Sequence, residues 1–405
     1  MIQPPDTTTF RSCIVARYDA KIGLIAFSKL TGLIYAVHPC DAEATVEWLA
    51  GRADNPPSAI YEETIGAGWA IPLISGRQIR PQLLPDQNAW STLPGPEYPI
   101  AINWLITGRC PLACVYCWAE DLMRRDDLEP NREQIAQIAD NILAFRPVTV
   151  ILSGGDPLFS PFLKDAVTAL SGKTGIVLDT SGYRMTDKQL DLFREHNVSV
   201  RISLDTDRPS SNEAQRPLYK LYPGFIKSGI GTTESAVSAI CRCLDAGLTV
   251  TVQTVATKKT ANDLLSLGDK LFRLGVGFWR VGKVAPTKAR MEGYTLLVGS
   301  HSDKGKRLKP AEQSDPYDFV FKQLSQAHEQ RWSSSMALQV MHNNAPNAVL
   351  LVSPDGVFYT ESNVTPGKVV VDPRNPSRPD LSALASKVNM QAHAERYLNL
   401  TGLHR

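Results

Sequence analysis

Between Ile100 and Val281 short apolar runs alternate with stretches of helical periodicity, and this pattern restricts the chain to few folds. The runs are Ile100–Ile106, Val148–Leu152, Gly175–Asp179, Val198–Leu204, Leu248–Val255 and Val276–Val281. Ile135, Ile138, Ile142 and Leu143 recur at helical spacing behind Asn131, a candidate N-cap. Further helices are expected over Thr186–His196, Thr232–Ala246 and Ala261–Leu274. Six strands separated by helices predict a parallel sheet with right-handed crossovers. In a barrel of this kind chemistry collects at the C-terminal ends of the strands.

At the first of those ends stands Cys110-Pro-Leu-Ala-Cys114-Val-Tyr-Cys117, just past Gly108. The other cysteines are at 13, 40, 241 and 243, and an odd total argues against a disulfide framework. Three thiolates in one loop suit an iron–sulfur cube, since sulfur is a soft ligand for iron. The fourth iron would then stay open to a ligand. Zinc is the alternative, but a structural zinc site wants four ligands. No fourth Cys or His follows at zinc-finger spacing. Lys and Arg number 43 against 41 Asp and Glu, so charge gives no case for a nucleic-acid or membrane-surface partner. No apolar run approaches the roughly 20 residues that cross a bilayer. With a polar N-terminus the expected location is the cytoplasm.

The C-x3-C-x-aromatic-C spacing, with Tyr116 as the aromatic, resembles the signature of the radical S-adenosylmethionine (SAM) superfamily. Ser153-Gly154-Gly155-Asp156-Pro157, after the second strand, resembles that family's Gly-Gly-Glu-Pro motif with Asp for Glu. The resemblance implies an α/β fold, a partial (β/α)6 radical SAM barrel. It implies one [4Fe–4S] cluster on Cys110, Cys114 and Cys117, with SAM on the remaining iron. The candidate cofactor-binding residues are Tyr116, Gly154, Gly155, Asp156, Pro157, Thr180, Ser181, Ser203, Asp205 and Arg216. Glycines let backbone approach a ligand closely, and the Asp156 carboxylate could accept from an ammonium. For Thr180, Ser181, Ser203 and Asp205, ordinary turn polarity is the competing reading.

Residues 1–95 form a separate small α+β region, 96–284 the barrel, and 285–405 a C-terminal extension. In the first, Ile22–Phe27 and Gly32–Val37 read as a hairpin, and Asp41 as the N-cap of a helix over Ala42–Leu49. This order resembles a winged-helix precursor-recognition module, which would grip a leader peptide as an added strand. A structural cap on the barrel is the other reading. His38 and Cys40 read as packing or surface residues.

In the extension, Asp318–Gln330 reads as a helix, Met336–His342 as a strand and Leu381–Leu400 as a last helix. A hairpin over Pro354-Asp-Gly356 resembles the SPASM/twitch-like extension of peptide maturases. No cysteine follows Cys243, which excludes auxiliary clusters in their usual form and favours a redox-neutral outcome. Cys241 is expected on the apolar face of its helix with Val237, Ile240 and Leu244. Two long loops, Thr206–Gly231 and Ala285–Tyr317, stand out. The second carries Lys288, Arg290, Lys304, Lys306, Arg307 and Lys309.

The resemblance implies reductive cleavage of SAM to a 5′-deoxyadenosyl radical that abstracts a substrate hydrogen, fed by an external reductant such as flavodoxin or ferredoxin. The substrate is expected to be a ribosomally made peptide, crosslinked or epimerised. A small molecule (sugar, nucleoside or amino acid) and a non-enzymatic metal-stabilised binding protein are the alternatives.

Overall fold

The computed structural model describes residues 14–19, 23–29, 32, 34–37, 39–54, 99–119, 129–219, 229–285, 316–341, 347–360, 369–371 and 388–398. The six expected strands are β4 (Ala101–Leu105), β5 (Thr149–Ser153), β6 (Gly175–Thr180), β7 (Ser199–Ser203), β8 (Val250–Val255) and β9 (Phe278–Gly282). They lie side by side and parallel. Two strands of the extension lengthen this sheet: β10 (Ala337–Met341) beside β9, and β11 (Leu350–Val352) beside β4, both parallel. Antiparallel β12 (Phe358–Thr360) and β13 (Val369–Val371) follow β11. An open parallel sheet leaves unpaired N–H and C=O groups at both edges, and these short strands satisfy them.

One residue in two faces outward. Ile102, Trp104, Val150, Leu152, Val200 and Ile202 pack against Ile135, Ile138, Val167, Phe193, Ala239 and Ile240 of the surrounding helices. Those helices include α2 (Arg132–Leu143), α3 (Leu163–Leu170), α4 (Asp187–Glu195), α5 (Pro209–Gln215), α6 (Thr232–Asp245) and α7 (Leu264–Leu274). Asn131 caps α2 in a reciprocal box with Gln134, a device worth about 1 kcal/mol. On α6 the buried stripe runs Ala236, Ala239, Ile240, Cys243, so Cys243 is the core cysteine and Cys241 is only half-buried. The expectation had these two exchanged. Small side chains, not Val237 and Leu244, let α6 approach the sheet closely.

The N-terminal strands β1 (Ile14–Asp19), β2 (Gly23–Ser28) and β3 (Ile34–Val37) form an antiparallel sheet, with α1 (Pro39–Leu49) after it. β1 was not expected. Helix α1 begins at Pro39, so Asp41 lies inside it and is not its N-cap; proline is well suited to a first turn. Leu24, Ile25, Phe27, Ile34 and Trp48 form one core with Ile100, Ala101, Val148, Ile151, Val177 and Phe278. The sheet therefore closes the N-terminal mouth of the barrel. Arg17 Nη1 fastens it by donating to the carbonyls of Pro99 (2.9 Å) and Arg146 (2.8 Å).

Helix α8 (Pro316–Ala327) precedes β10, and α9 (Met390–Leu398) is the last helix among the described residues. Asn389 Oδ1 accepts from Ala392 N at 3.0 Å, so α9 starts at Met390 and not near 381. The expected turns at 381–387, the basic residues of 288–309, residues 220–228, His38 and 55–95 lie outside the described residues.

On α9, His393 is fully buried. Its Nε2 accepts from Ile100 N (2.8 Å), so Nδ1 carries the proton and donates to Ala348 O (2.8 Å). Burial pushes this imidazole down to about 4. Protons bind the unfolded chain first, so His393 contributes full stability above pH 6.5, which is lost as pH falls toward 4. The loss should reach about 3 kcal/mol. His393→Gln can keep both hydrogen bonds without titrating. Urea midpoints measured across this range should flatten in that variant; an unchanged slope would assign the acid sensitivity elsewhere.

Candidate active site

The cysteine loop leaves β4 through Thr107 and Gly108, both tied to one carboxylate: Thr107 Oγ1 and Gly108 N donate to Glu129 Oε1 at 2.8 and 2.6 Å. The turn after β5 then lies directly on it. Gly155 N donates to Thr107 O and Asp156 N to Arg109 O, each at 2.8 Å. A Cβ on Gly154 would come within 2.5 Å of Thr107 O, and one on Gly155 within 2.1 Å of Arg109 O. The glycines are thus required by loop-on-loop packing, a tighter demand than approach to a ligand. On the other flank, Ala113 N and Val115 N donate to Pro217 O and Gln215 O (2.8 and 2.9 Å), and Tyr219 N donates to Pro111 O (2.7 Å). The first part of the long loop after β7 therefore clamps the cysteines.

Cys110, Cys114 and Cys117 are half-buried, form no disulfide and line one cavity of about 250 Å³ at the C-terminal ends of the strands. Tyr116, Gly154, Gly155, Thr180, Ser181, Ser203 and Arg216 line it too. Asp156, Pro157 and Asp205 stand behind the wall. Asp156 is buried and spent on hydrogen bonds. Its Oδ1 accepts from Thr180 Oγ1 (2.7 Å) and Leu158 N (3.1 Å), and its Oδ2 from Ser181 N (3.0 Å) and Ser181 Oγ. It locks the end of β6 to the end of β5 and offers no lone pair to an ammonium, contrary to the role expected from the motif. Pro157 opens a buried 3₁₀ turn.

Asp205 is likewise a brace. Its Oδ2 accepts from Tyr116 OH, and its Oδ1 from Val255 N at 2.9 Å. Arg216 Nη1 donates to Tyr116 OH at 2.7 Å and lies 4.0 Å from Asp205 Oδ2. Burial pushes the Asp205 carboxyl up, against the opposing pull of Arg216 and Tyr116. Burial also pushes the Tyr116 phenol well up, so it stays protonated as a donor. Tyr116 and Arg216 reach the cavity with their polar ends already oriented.

Burial pushes the Cys110 thiol well up as well, and the neighbouring Cys114 and Asp156 charges add to this. Such a thiol surrenders its proton only where a cation compensates, which fits metal ligation. Among the described residues no three His, Cys, Asp or Glu side chains converge on one ion. A single zinc would draw its sulfurs to within about 3.8 Å of each other. A cube takes each thiolate on a different iron.

Residues 104–269 match the family model of the radical SAM superfamily. They form a radical SAM domain. The mycofactocin maturase MftC of Mycolicibacterium smegmatis is 28% identical over 196 residues, 48% of this chain and 46% of that protein. The chain thus spans about half the length of the curated relatives it matches. A GTP 3′,8-cyclase of Pseudomonas savastanoi is 32% identical over 110 residues, 26% of this chain and 32% of that one. Streptococcus suis SuiB with its precursor peptide SuiA superposes with a TM-score of 0.53 at 13% identity, over 86% of this chain and 81% of SuiB. That likeness is one of fold, and it reaches beyond the radical SAM domain to both flanking regions. Among the described residues no helix is long and apolar enough to cross a membrane.

The radical SAM domain also holds residues that the motifs did not reveal. Arg201 and Gln253 line the same cavity, joined from outside the domain by Asn103, Arg280, Arg396 and Tyr397. A signal was present: β4, β6, β7, β8 and β9 each carry a polar side chain, Asn103, Asp179, Arg201, Gln253 or Arg280, at an inward position.

Proposed function

We propose that this protein is a radical SAM enzyme that modifies a peptide. The observation that carries the reading is the cavity itself, where three thiols on a loop clamped from both sides face the polar ends of neighbouring strands. Cys110, Cys114 and Cys117 would hold a [4Fe–4S] cluster. Gly154, Gly155, Thr180, Ser181, Ser203, Tyr116 and Arg216 would bind SAM, whereas Asp156, Pro157 and Asp205 support that wall. When bound, the cluster and SAM supply reductive cleavage of the S–C5′ bond and, with it, hydrogen-atom abstraction. The chain's own contribution is orientation: Arg216 and Tyr116 are fixed by Asp205, and Thr180 and Ser181 by Asp156. An external flavodoxin or ferredoxin would deliver the electron.

The peptide assignment is supported by MftC and SuiB, whose names and titles describe a maturase and a complex with a precursor peptide. A division into 1–95, 96–284 and 285–405 belongs to the same proposal, with the last part lending four strands to the barrel sheet.

Anaerobic reconstitution should give about four irons per chain and release of 5′-deoxyadenosine with dithionite. Cys114→Ala should reduce that release to background; retained release would refute the cluster assignment. For substrate class, extracts of cells grown in deuterated medium are split into peptide and metabolite fractions and offered to the holoenzyme. Deuterium should enter 5′-deoxyadenosine from the peptide fraction. Label arriving from the metabolites alone would overturn the peptide reading in favour of a small-molecule substrate.

A further inference from the structure

Away from the cysteines the wall of this cavity is cationic. Arg201, Arg280, Lys283 and Arg396 line it, and Asp179 is the carboxylate among them. Asp179 is held by Arg201, whose Nη1 donates to Oδ2 at 3.3 Å and lies 3.2 Å from Oδ1, which accepts no hydrogen bond. Arg280 is 4% exposed, and its Nε and Nη2 donate to Gln339 Oε1 (2.9 Å) and Met341 Sδ (3.2 Å). Among the described residues no carboxylate lies within ion-pair distance of Arg280 or Arg396, and Asp179 acts on Arg280 only from farther off. Gln253 Oε1 and Arg201 Nε are buried there without a hydrogen-bond partner. Burial, then the like charges of Arg201 and Arg396, hold the Arg280 guanidinium well below its usual range. An anion in the cavity could accept from Arg201 Nε and would offset the like charges around Arg280.

We propose that this wall is a substrate subsite for a carboxylate, received by Arg280 with Arg201 and Arg396 beside it. The proposal rests on the radical SAM reading, since it places the substrate in the cavity that also holds the cysteines. Arg216 serves the cysteine end, where it is bound to Tyr116, so the cofactor does not account for the other arginines. Guanidinium forks suit carboxylates, and Arg201 already holds one carboxylate, Asp179, through Nη1 in the same wall. A dianionic phosphate would lie against Asp179 and is disfavoured. The carboxylate would come from an acidic side chain or from a peptide C-terminus.

The test uses the reconstituted holoenzyme with SAM and two probe pairs: acetyl-Ala-Glu-Ala-amide against its Gln counterpart, and acetyl-Ala-Ala-Leu as free acid against carboxamide. In at least one pair the acid should bind about tenfold more tightly than the amide, and which pair responds identifies the source. Arg280→Gln and Arg396→Gln should each collapse that preference; Arg396 is half-buried on the last helix, so its variant reports even where Arg280→Gln does not fold. Equal binding of acids and amides, a preference that survives in folded variants, or inorganic phosphate binding more tightly than either acid would overturn the subsite. Wild-type 5′-deoxyadenosine release separates the two claims. Release without acid preference sinks the subsite alone, whereas acid preference without release sinks the radical SAM reading.

Discussion

Replacing Gly155 by alanine is expected to leave the cysteine loop unable to hold iron. The new Cβ would fall 2.1 Å from Arg109 O, 2.4 Å from its carbonyl carbon and 3.0 Å from its nitrogen. All three are backbone atoms, so no rotamer change relieves the overlap; the two loops must separate. Separation breaks the bonds from Gly155 N to Thr107 O and from Asp156 N to Arg109 O. It displaces Cys110, the next residue, and pulls Asp156 from Thr180 and Ser181. Overpacking of this kind costs about 1–3 kcal/mol, which a barrel of this size should survive. Iron per chain should fall from about four to a small fraction of that, and SAM cleavage should fall with it, while circular dichroism stays folded. Gly172→Ala is the control. Gly172 has φ +74° but nothing near its Cβ, so the substitution should cost about 1–2 kcal/mol of backbone strain and leave iron untouched. Full iron in Gly155→Ala would show that the loop is held by other means.

That prediction also marks where the sequence stops being legible. Gly154-Gly155-Asp156-Pro157 announced itself by type and position, and so did the three cysteines, because each needs only a few neighbouring residues to be recognised. The destination of the Asp156 carboxylate depends on Thr180 and Ser181, one strand further on, and a motif cannot express that. Asp205 was hidden in the same way, since its partners Tyr116, Arg216 and Val255 come from three different segments. The six barrel strands were visible because parallel strands buried on both faces read as continuous apolar runs. β10 and β11 were visible as strands but not as barrel members, because pairing with β9 and β4 is a long-range choice. Arg201 and Arg280 went unread, because one polar residue in an apolar run looks like noise until neighbouring strands show polar residues on the same inward face. Cys241 and Cys243 are two residues apart and so face nearly opposite ways around a helix, and only the contact with the sheet fixed which faced inward.

The second large effect is expected at the other mouth of the barrel. Phe27, fully buried, has its ring 2.2 Å from where a Cβ on Gly175 would sit, so the ring fills space that only glycine leaves open. It joins Ile151 and Val177, which point into the barrel, to Leu24 and Trp48 of the N-terminal region. Phe27→Ala should remove about 3–5 kcal/mol of stability, read as a lower urea midpoint with an unchanged slope. Removing residues 1–54 altogether takes away the floor, the Arg17 anchor to Pro99 and Arg146, and the covering of Phe278. Such a chain should lose cooperative unfolding, and SAM cleavage should disappear together with any peptide binding. The N-terminal region is therefore part of the barrel's core, and a role in gripping a leader peptide would come in addition to that packing. An N-terminally truncated chain that still unfolds cooperatively and still cleaves SAM would reverse this conclusion, and would make the region a detachable recognition module.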